Sequence, residues 1–233
     1  MAALQTACVI PVHNGEMHLG AAIDSVLAQT RPFDEVIVVN DGSTDGTADV
    51  LRAYEHRITR IDQPNAGVSA ARNRGITAAT APLIALLDGD DLFLPEKNEK
   101  QAACFERDPA LELCMASAKA FRSEEMTDQQ WADDPRNRQG HWDKPLPLFI
   151  STWMFRRSLF DRVGPFEGAH GEDTDWLVRA RDAQAKELLL DDVLSRRRVH
   201  AASVTARWTT QAYDHAPDIF KRHLDRMRAK QKG

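Results

Sequence analysis

Cysteine is scarce in this chain: only Cys8, Cys104 and Cys114 carry a thiol among 233 residues, and no two of them form a short paired spacing. That excludes a disulfide framework and a cysteine zinc site, and leaves three buried thiols as the expectation. Long apolar runs are missing too, since no segment approaches the roughly eighteen residues that a membrane-spanning helix requires. A basic n-region is absent from residues 1–6, which lead straight into Ala7-Cys8-Val9-Ile10. The opening therefore reads as a first strand rather than a secretion signal, and the expected compartment is the cytoplasm. Positive charge is short as well. A formal net charge of −5 lacks the basic field with which a general nucleic-acid binder offsets phosphate. No internal repeat or low-complexity tract interrupts the chain. What remains, 42% apolar and 28% charged residues, is the composition of a globular protein long enough for one large core and too short for two independent domains of ordinary size.

Short β-branched runs alternate with helix-like stretches from residue 7 to residue 87, the pattern of a mostly parallel, Rossmann-like α/β sheet covered by helices. Strands are expected at 7–12, 35–40, 58–62 and 83–87, their continuous apolar character fitting burial on both faces. Helices are expected at 18–29, with Leu19, Ile23, Val26 and Leu27 on one stripe, at 44–54 and at about 68–79. Beyond Asp91 a helix from Pro95 to about Glu106 and a strand at 111–120 follow. Residues 122–147, with Trp131, Trp142, Pro135, Pro145 and Pro147, read as a surface loop or pocket wall. A strand at 151–155, helices at 156–163 and 172–183, extended segments at 186–190 and 193–200 and a terminal helix from 211 complete the reading. Residues 1–120 hold the expected nucleotide-fold half, and 121–233 the second half of the same single domain. The basic stretch 221–232 suits an anionic lipid surface if helical, with a solvated terminal helix as the plainer alternative.

The chemistry concentrates at strand ends. Asp88, Asp90 and Asp91 stand immediately after the fourth apolar run, and in open α/β sheets ligands bind at the carboxyl ends of strands. Three crowded carboxylates repel one another unless a hard cation, Mg²⁺ or Mn²⁺, lies among them; helix capping explains one such aspartate but not three. Asp41 follows the second strand within Asn40-Asp41-Gly42-Ser43-Thr44-Asp45-Gly46, where it suits a nucleobase or ribose donor, or an Asx turn. Glu172 and Asp173 open the helix at 172–183. On the residues alone they are ordinary N-terminal helix acidity.

Four segments in order resemble the motifs of family 2 glycosyltransferases with the GT-A fold. They are Pro11-Val12-His13-Asn14-Gly15-Glu16, the stretch VVNDGSTDGT, Asn65-Ala66-Gly67-Val68-Ser69-Ala70-Ala71-Arg72-Asn73-Arg74-Gly75, and LLDGDD. The similarity is strong over residues 7–94 and looser through 156–166 and 171–176. It implies that Pro11, His13, Glu16 and Asp41 line a nucleoside pocket and that Arg72 approaches the nucleotide or steadies the acidic loop. It further implies that Asp88, Gly89 and Glu172 contact the donor, and that Asp88, Asp90, Asp91 and His200 are candidate ligands of Mn²⁺ or Mg²⁺. The resemblance also makes Asp173 the expected catalytic base, with residues 1–120 the nucleotide-sugar-binding half and 121–233 the acceptor-binding and catalytic-base half of the same single domain. His13 stands where the family usually has tyrosine, which alters base stacking.

The implied activity is inverting transfer of a sugar from a nucleoside-diphosphate donor, a UDP-sugar favoured, to a hydroxyl of a glycan, lipid-linked, peptide or small-molecule acceptor. Acceptor choice is expected in 122–147 and near Trp153. Two rivals from other classes fit less of the sequence. A Mg²⁺-dependent aspartate-nucleophile phosphatase leaves the Asp41 turn unexplained, and a non-catalytic nucleotide-sugar-binding module would not need every carboxylate.

Overall fold

A computed structural model describes residues 3–134, 137, 144–168, 171–200, 221–223 and 226. The strands are β1 (Thr6–Val12), β2 (Glu35–Asp41), β3 (Thr59–Gln63), β4 (Leu83–Leu86), β5 (Leu92–Phe93), β6 (Leu113–Arg122), β7 (Leu146–Pro147), β8 (Met154–Arg156) and β9 (Glu187–Val199). The helices are α1 (Leu19–Leu27), α2 (Thr47–Ala53), α3 (Val68–Ala78), α4 (Lys97–Arg107), α5 (Asp128–Asp133), α6 (Arg157–Val163) and α7 (Glu172–Asp182), with a short 3₁₀ turn at Ile150–Thr152. All nine strands belong to one sheet, in the order β3-β2-β1-β4-β8-β6-β9-β5, with β7 beside β6.

Strand direction decides where the site falls. β1 is parallel to β2 and β4, and β2 is parallel to β3. β8 runs antiparallel to both β4 and β6, so β6 points the same way as β4, and β9 is parallel to β6. Six strands thus end on one side of the sheet.

Alternate residues of β1 feed two cores. Ala7 and Val9 join a cluster with Ile76 of α3 and the aromatic set Trp153, Phe155, Phe160, Phe166 and Trp176. Cys8, Ile10 and Val12 join a cluster with Leu19, Ile23 and Val26 of α1 and Phe105 of α4. This is the expected helix-sheet-helix sandwich, and each fully buried aliphatic or aromatic side chain in it stabilises by about 1.5–3 kcal/mol. β3 departs from the expectation. It is the sheet's edge, its side chains are exposed or half-buried, and Arg60 and Asp62 pair across its surface.

The second half differs in three places. The segments at 186–190 and 193–200 are one bent strand, β9, kept in register with β6 by irregularities around Met115–Ala118. The stretch read as a loop contains α5, opened by a capping box in which Thr127 and Gln130 exchange hydrogen bonds. Trp153, expected near the acceptor, is a core residue, 1% exposed, and its indole donates to the Leu148 carbonyl. Trp142 and most of the terminal helix lie outside the described residues. Arg222 pairs with Asp175 of α7, Arg226 with Asp175 and Asp182, and His223 with Asp182, while about half of the Arg222 side chain stays in solvent. Among the described residues no helix is long and apolar enough to cross a membrane. The three cysteines are free and buried.

α4 buries a polar face. Asn98 donates to Thr6 Oγ1 and to the carbonyls of Arg31 and Pro32, while Gln101 donates to the carbonyls of Cys114 and Thr152. Beside them Lys97 is fully buried, with Nζ 3.2 Å from the Trp153 carbonyl oxygen and 4.2 Å from the Phe93 ring centroid. Burial lowers its pKa from 10.5 to about 7. Between those two values the unfolded chain holds a proton that the folded chain has lost, so stability rises with pH at up to about 1.4 kcal/mol per unit. Lys97→Met removes this linkage. Urea unfolding should find the variant more stable than the parent near pH 7, with the gain shrinking steadily as pH approaches 10.5.

Candidate functional site

The loops after β1, β2, β4, β6 and β9 meet along the edge where the parallel strands end. Strand order reverses between β1 and β4, the kind of switch point at which open α/β sheets bind ligands.

Pro11 is buried at the end of β1, and His13 projects into solvent beyond it. His13 Nδ1 lies 2.8 Å from the Asp41 carbonyl oxygen, and the Asn65 amide nitrogen stands 3.2 Å from its Nε2. Glu16 faces the neighbouring loop, where its carboxylate accepts from the Gly46 N–H at 3.0 Å and its own N–H donates to Asp45. Asp41 is 3% exposed. Its Oδ1 accepts from Gln63 Nε2 and the Ala66 N–H, and its Oδ2 from the Gly67 N–H, at 2.7–2.8 Å. A carboxylate offers about four acceptor positions, so these three bonds make Asp41 shape the turn into α3 and leave about one position over. Gly42 is fixed by two constraints: its φ is +69°, and a Cβ there would stand 2.6 Å from the Asn65 nitrogen.

The three aspartates after β4 have separate fates. Asp88 Oδ1 accepts from Arg72 Nη2 at 2.7 Å, and its backbone N–H donates to Ser151 Oγ. Gly89 packs on the end of β1, where a Cβ would come within 3.2 Å of the Pro11 carbonyl oxygen. Asp90 Oδ2 lies 3.0 Å from His200 Nε2, and its carbonyl accepts from Arg198 Nε. Asp91 is 2% exposed; Ser151 Oγ donates to its Oδ2 and the Arg198 N–H to its Oδ1, both at 2.9 Å. Burial, reinforced by the charges of Asp90 and Asp88, pushes the Asp91 carboxyl well above the usual range. Burial also opposes ionisation of Asp90, but the His200 hydrogen bond and charge outweigh it and bring that pKa down. Asp88, Asp90 and His200 stay partly exposed, whereas Asp91 is committed to the loop's interior. Of the expected metal ligands the structure brings Asp90 and His200 together, while Asp88 is paired with Arg72 and Asp91 faces inward; the chemistry of these oxygen and imidazole donors suits a hard-to-borderline divalent cation.

Arg72, on α3, is 3% exposed and forks between two acids, Nη2 to Asp88 at 2.7 Å and Nη1 to Glu172 Oε1 at 2.6 Å. Burial lowers its pKa, and the two carboxylates more than restore it. Burial raises the pKa of Glu172, opposed by Arg72 and aided by Asp173. Asp173 is half-buried in the first turn of α7, and its Oδ1 accepts from the Thr174 N–H at 2.6 Å. The stretch before α7 is clamped to α3 by Asn73, whose side-chain amide exchanges two 2.9 Å bonds with the Phe166 backbone.

Sequence reading missed Ser151 and Arg198, which hold the acidic loop, and also His18 and Glu125. His18 Nε2 is 3.2 Å from Glu125 Oε1, and its ring meets that of His200 edge-on at 4.9 Å. Burial, then Arg198, lowers the His18 pKa. A cavity of about 400 Å³ opens beside this group, lined by Met126, Thr127, Gln130 and Asp134 as well as His200. The only sequence signal for α5 was its Thr-x-x-Gln opening. Nothing marked Glu125 in a polar stretch.

The model of glycosyl transferase family 2 matches residues 7–164. The uncharacterized glycosyltransferase RP339 of Rickettsia prowazekii is 29% identical over 232 residues, 94% of this chain and 71% of its own. The mannosyltransferase PcManGT from Pyrobaculum calidifontis, solved in complex with GDP-Man and Mn²⁺, superposes with a TM-score of 0.72 at 19% identity over 97% of this chain and 65% of its own. S. aureus TarS 1-349 in complex with UDP-GlcNAc gives a TM-score of 0.67 at 19% identity over 86% of this chain and 60% of its own. The chain spans 66% of a further relative, EpsH of Bacillus subtilis, so several of these proteins extend well beyond the matched region. With the ordered motifs assembled on one edge of a GT-A sheet and the family model covering more than half of the sequence, the chain belongs to glycosyl transferase family 2.

Proposed function

We propose that the protein is an inverting glycosyltransferase that moves a sugar from a nucleoside-diphosphate donor to an acceptor hydroxyl, acting in the cytoplasm. The observation that carries this reading is Arg72, one buried guanidinium spanning Asp88 of the donor loop and Glu172 beside Asp173. Residues 1–120 supply the donor side and 121–233 the acceptor side. Pro11, His13 and the remaining acceptor position of Asp41 define the nucleoside end, with Glu16 acting through the loop at Gly46. Asp88, Asp90 and His200 would hold Mn²⁺ or Mg²⁺. Such an ion, when bound, offsets charge on the departing diphosphate.

Asp173 is the proposed base. Its place in the first helical turn favours the carboxylate, which takes the acceptor's hydroxyl proton. The acceptor oxygen then bonds to the anomeric carbon as the bond from that carbon to the diphosphate oxygen breaks, and the configuration inverts. The 400 Å³ cavity beside α5 supports an acceptor position near Thr127 and Gln130. UDP-sugars remain the favoured donors, supported by the likeness to TarS, while PcManGT was solved with GDP-Man.

Three measurements test the reading. Asp173→Asn should bind donor like the parent and lose transfer by roughly 10²–10⁴-fold, the scale of general-base catalysis; full activity in this variant removes the base assignment. Arg72→Lys replaces a fork with a single ammonium and should weaken both donor binding and transfer by about tenfold or more while the chain stays folded in a melting scan. Thermal-shift titration with Mn²⁺ present should stabilise the protein with UDP-sugars more than with GDP-sugars. The reverse order moves the base preference to guanine.

A further inference from the structure

The loop after β1, the loop after β6 and the end of β9 are far apart in sequence, yet each brings one metal-ligating side chain to a single spot. His18 precedes α1 and is 9% exposed, with Nε2 3.2 Å from Glu125 Oε1. The His18 and His200 rings meet at a centroid distance of 4.9 Å and an angle of 66°. One ligand atom from each of His18, Glu125 and His200 lies within 4.8 Å of the others. Asp90 borders the group through its 3.0 Å contact with His200. His18 is buried, His200 and Asp90 are half-buried, and the Glu125 carboxylate stands at the surface, so an ion could reach the group from solvent.

Ligand atoms about 2.1 Å from a tetrahedrally bound ion stand about 3.4 Å from one another. The His18–Glu125 pair already has that spacing, and the His200 ligand atom lies within 4.8 Å of both. Two imidazoles with carboxylate suit a borderline ion such as Zn²⁺, whereas Mg²⁺ prefers oxygen octahedra and keeps its waters. The geometry points to a zinc-class transition-metal site formed by His18, Glu125 and His200, with Asp90 as a fourth neighbour. An ion there fastens the β1, β6 and β9 loops to one another at the mouth of the crevice. His200 and Asp90 are common to this site and to the donor-side set proposed above, whereas His18 and Glu125 belong to this site alone, and binding there requires no sugar donor.

The test is calorimetric titration of the full chain, first dialysed against chelator, with ZnCl₂ and separately with MgCl₂, no nucleotide being present. The expected result is one saturable equivalent of Zn²⁺ and no matching Mg²⁺ isotherm. Glu125→Gln alters an exposed side chain and should weaken Zn²⁺ by at least about tenfold, as should His18→Gln. Asp88→Asn should leave it unchanged. The assignment is overturned if no saturable equivalent appears, or if folded Glu125→Gln binds like the parent. It is equally overturned if Asp88→Asn weakens binding as much as Glu125→Gln, since the ion then sits on the donor loop.

Discussion

Arg72 places a cation in the interior between Asp88 and Glu172, and most of the crevice depends on that arrangement. A buried guanidinium is tolerated only when its charge is matched and its N–H groups are directed. The two carboxylates provide both, although Nε has no partner. Because the three residues come from α3, the loop after β4 and the first turn of α7, satisfying one side chain fixes the relative position of all three elements. Asn73, one residue further along α3, repeats the same tie through Phe166. The helix carrying Asp173 is therefore positioned by the same segment that meets the donor loop.

Four residues, 88–91, hold three carboxylates, and the fold prevents their repulsion from accumulating. Asp88 is neutralised by Arg72, and Asp90 is held ionised by His200. Asp91 is driven toward the protonated form by burial and by its two neighbours, while Ser151 and the Arg198 N–H hold it in place. One aspartate thus becomes a structural hydrogen-bonding group, and two remain at the mouth. From sequence the three look equivalent, because burial and partner, which separate them, arise only once β9 is laid beside β5.

What sequence revealed of the fold follows from which strands are enclosed. β1, β2 and β4 are covered on both faces and read as apolar runs, so their ends, and hence Asp41 and Asp88, were placed within a residue or two. β3 was found as a strand but read as enclosed like the other three, whereas it is the sheet's edge and its side chains are exposed or half-buried. α5 was missed because its stability comes from a capping box rather than from an apolar stripe, and none of its residues is buried. Trp153 was misjudged for the opposite reason. It lies in the stretch expected as a strand at 151–155, but its indole is turned into the core, and its polar neighbours Ser151 and Thr152 are buried with it. The grouping of His18, Glu125 and His200 has no sequence signature, because it is made by topology alone.

That topology is worth following to its end. β6 and β9 run parallel and finish together, with Arg122 opposite Val199, so Glu125 and His200 emerge side by side. β5 then ties the segment just after Asp91 to β9 through Leu92 opposite Arg196. The acidic loop is consequently fastened at both ends, to β1 through β4 and to β9 through β5. Two residues past Arg196, the Arg198 N–H meets Asp91, and two further on His200 meets Asp90, matching the period of a strand that presents alternate residues to one side. A two-residue strand and a bent partner thus set the spacing of the donor loop. A one-residue slip of β9 against β5 would turn Arg198 and His200 away from the aspartates and leave two buried or half-buried carboxylates without the groups that balance them.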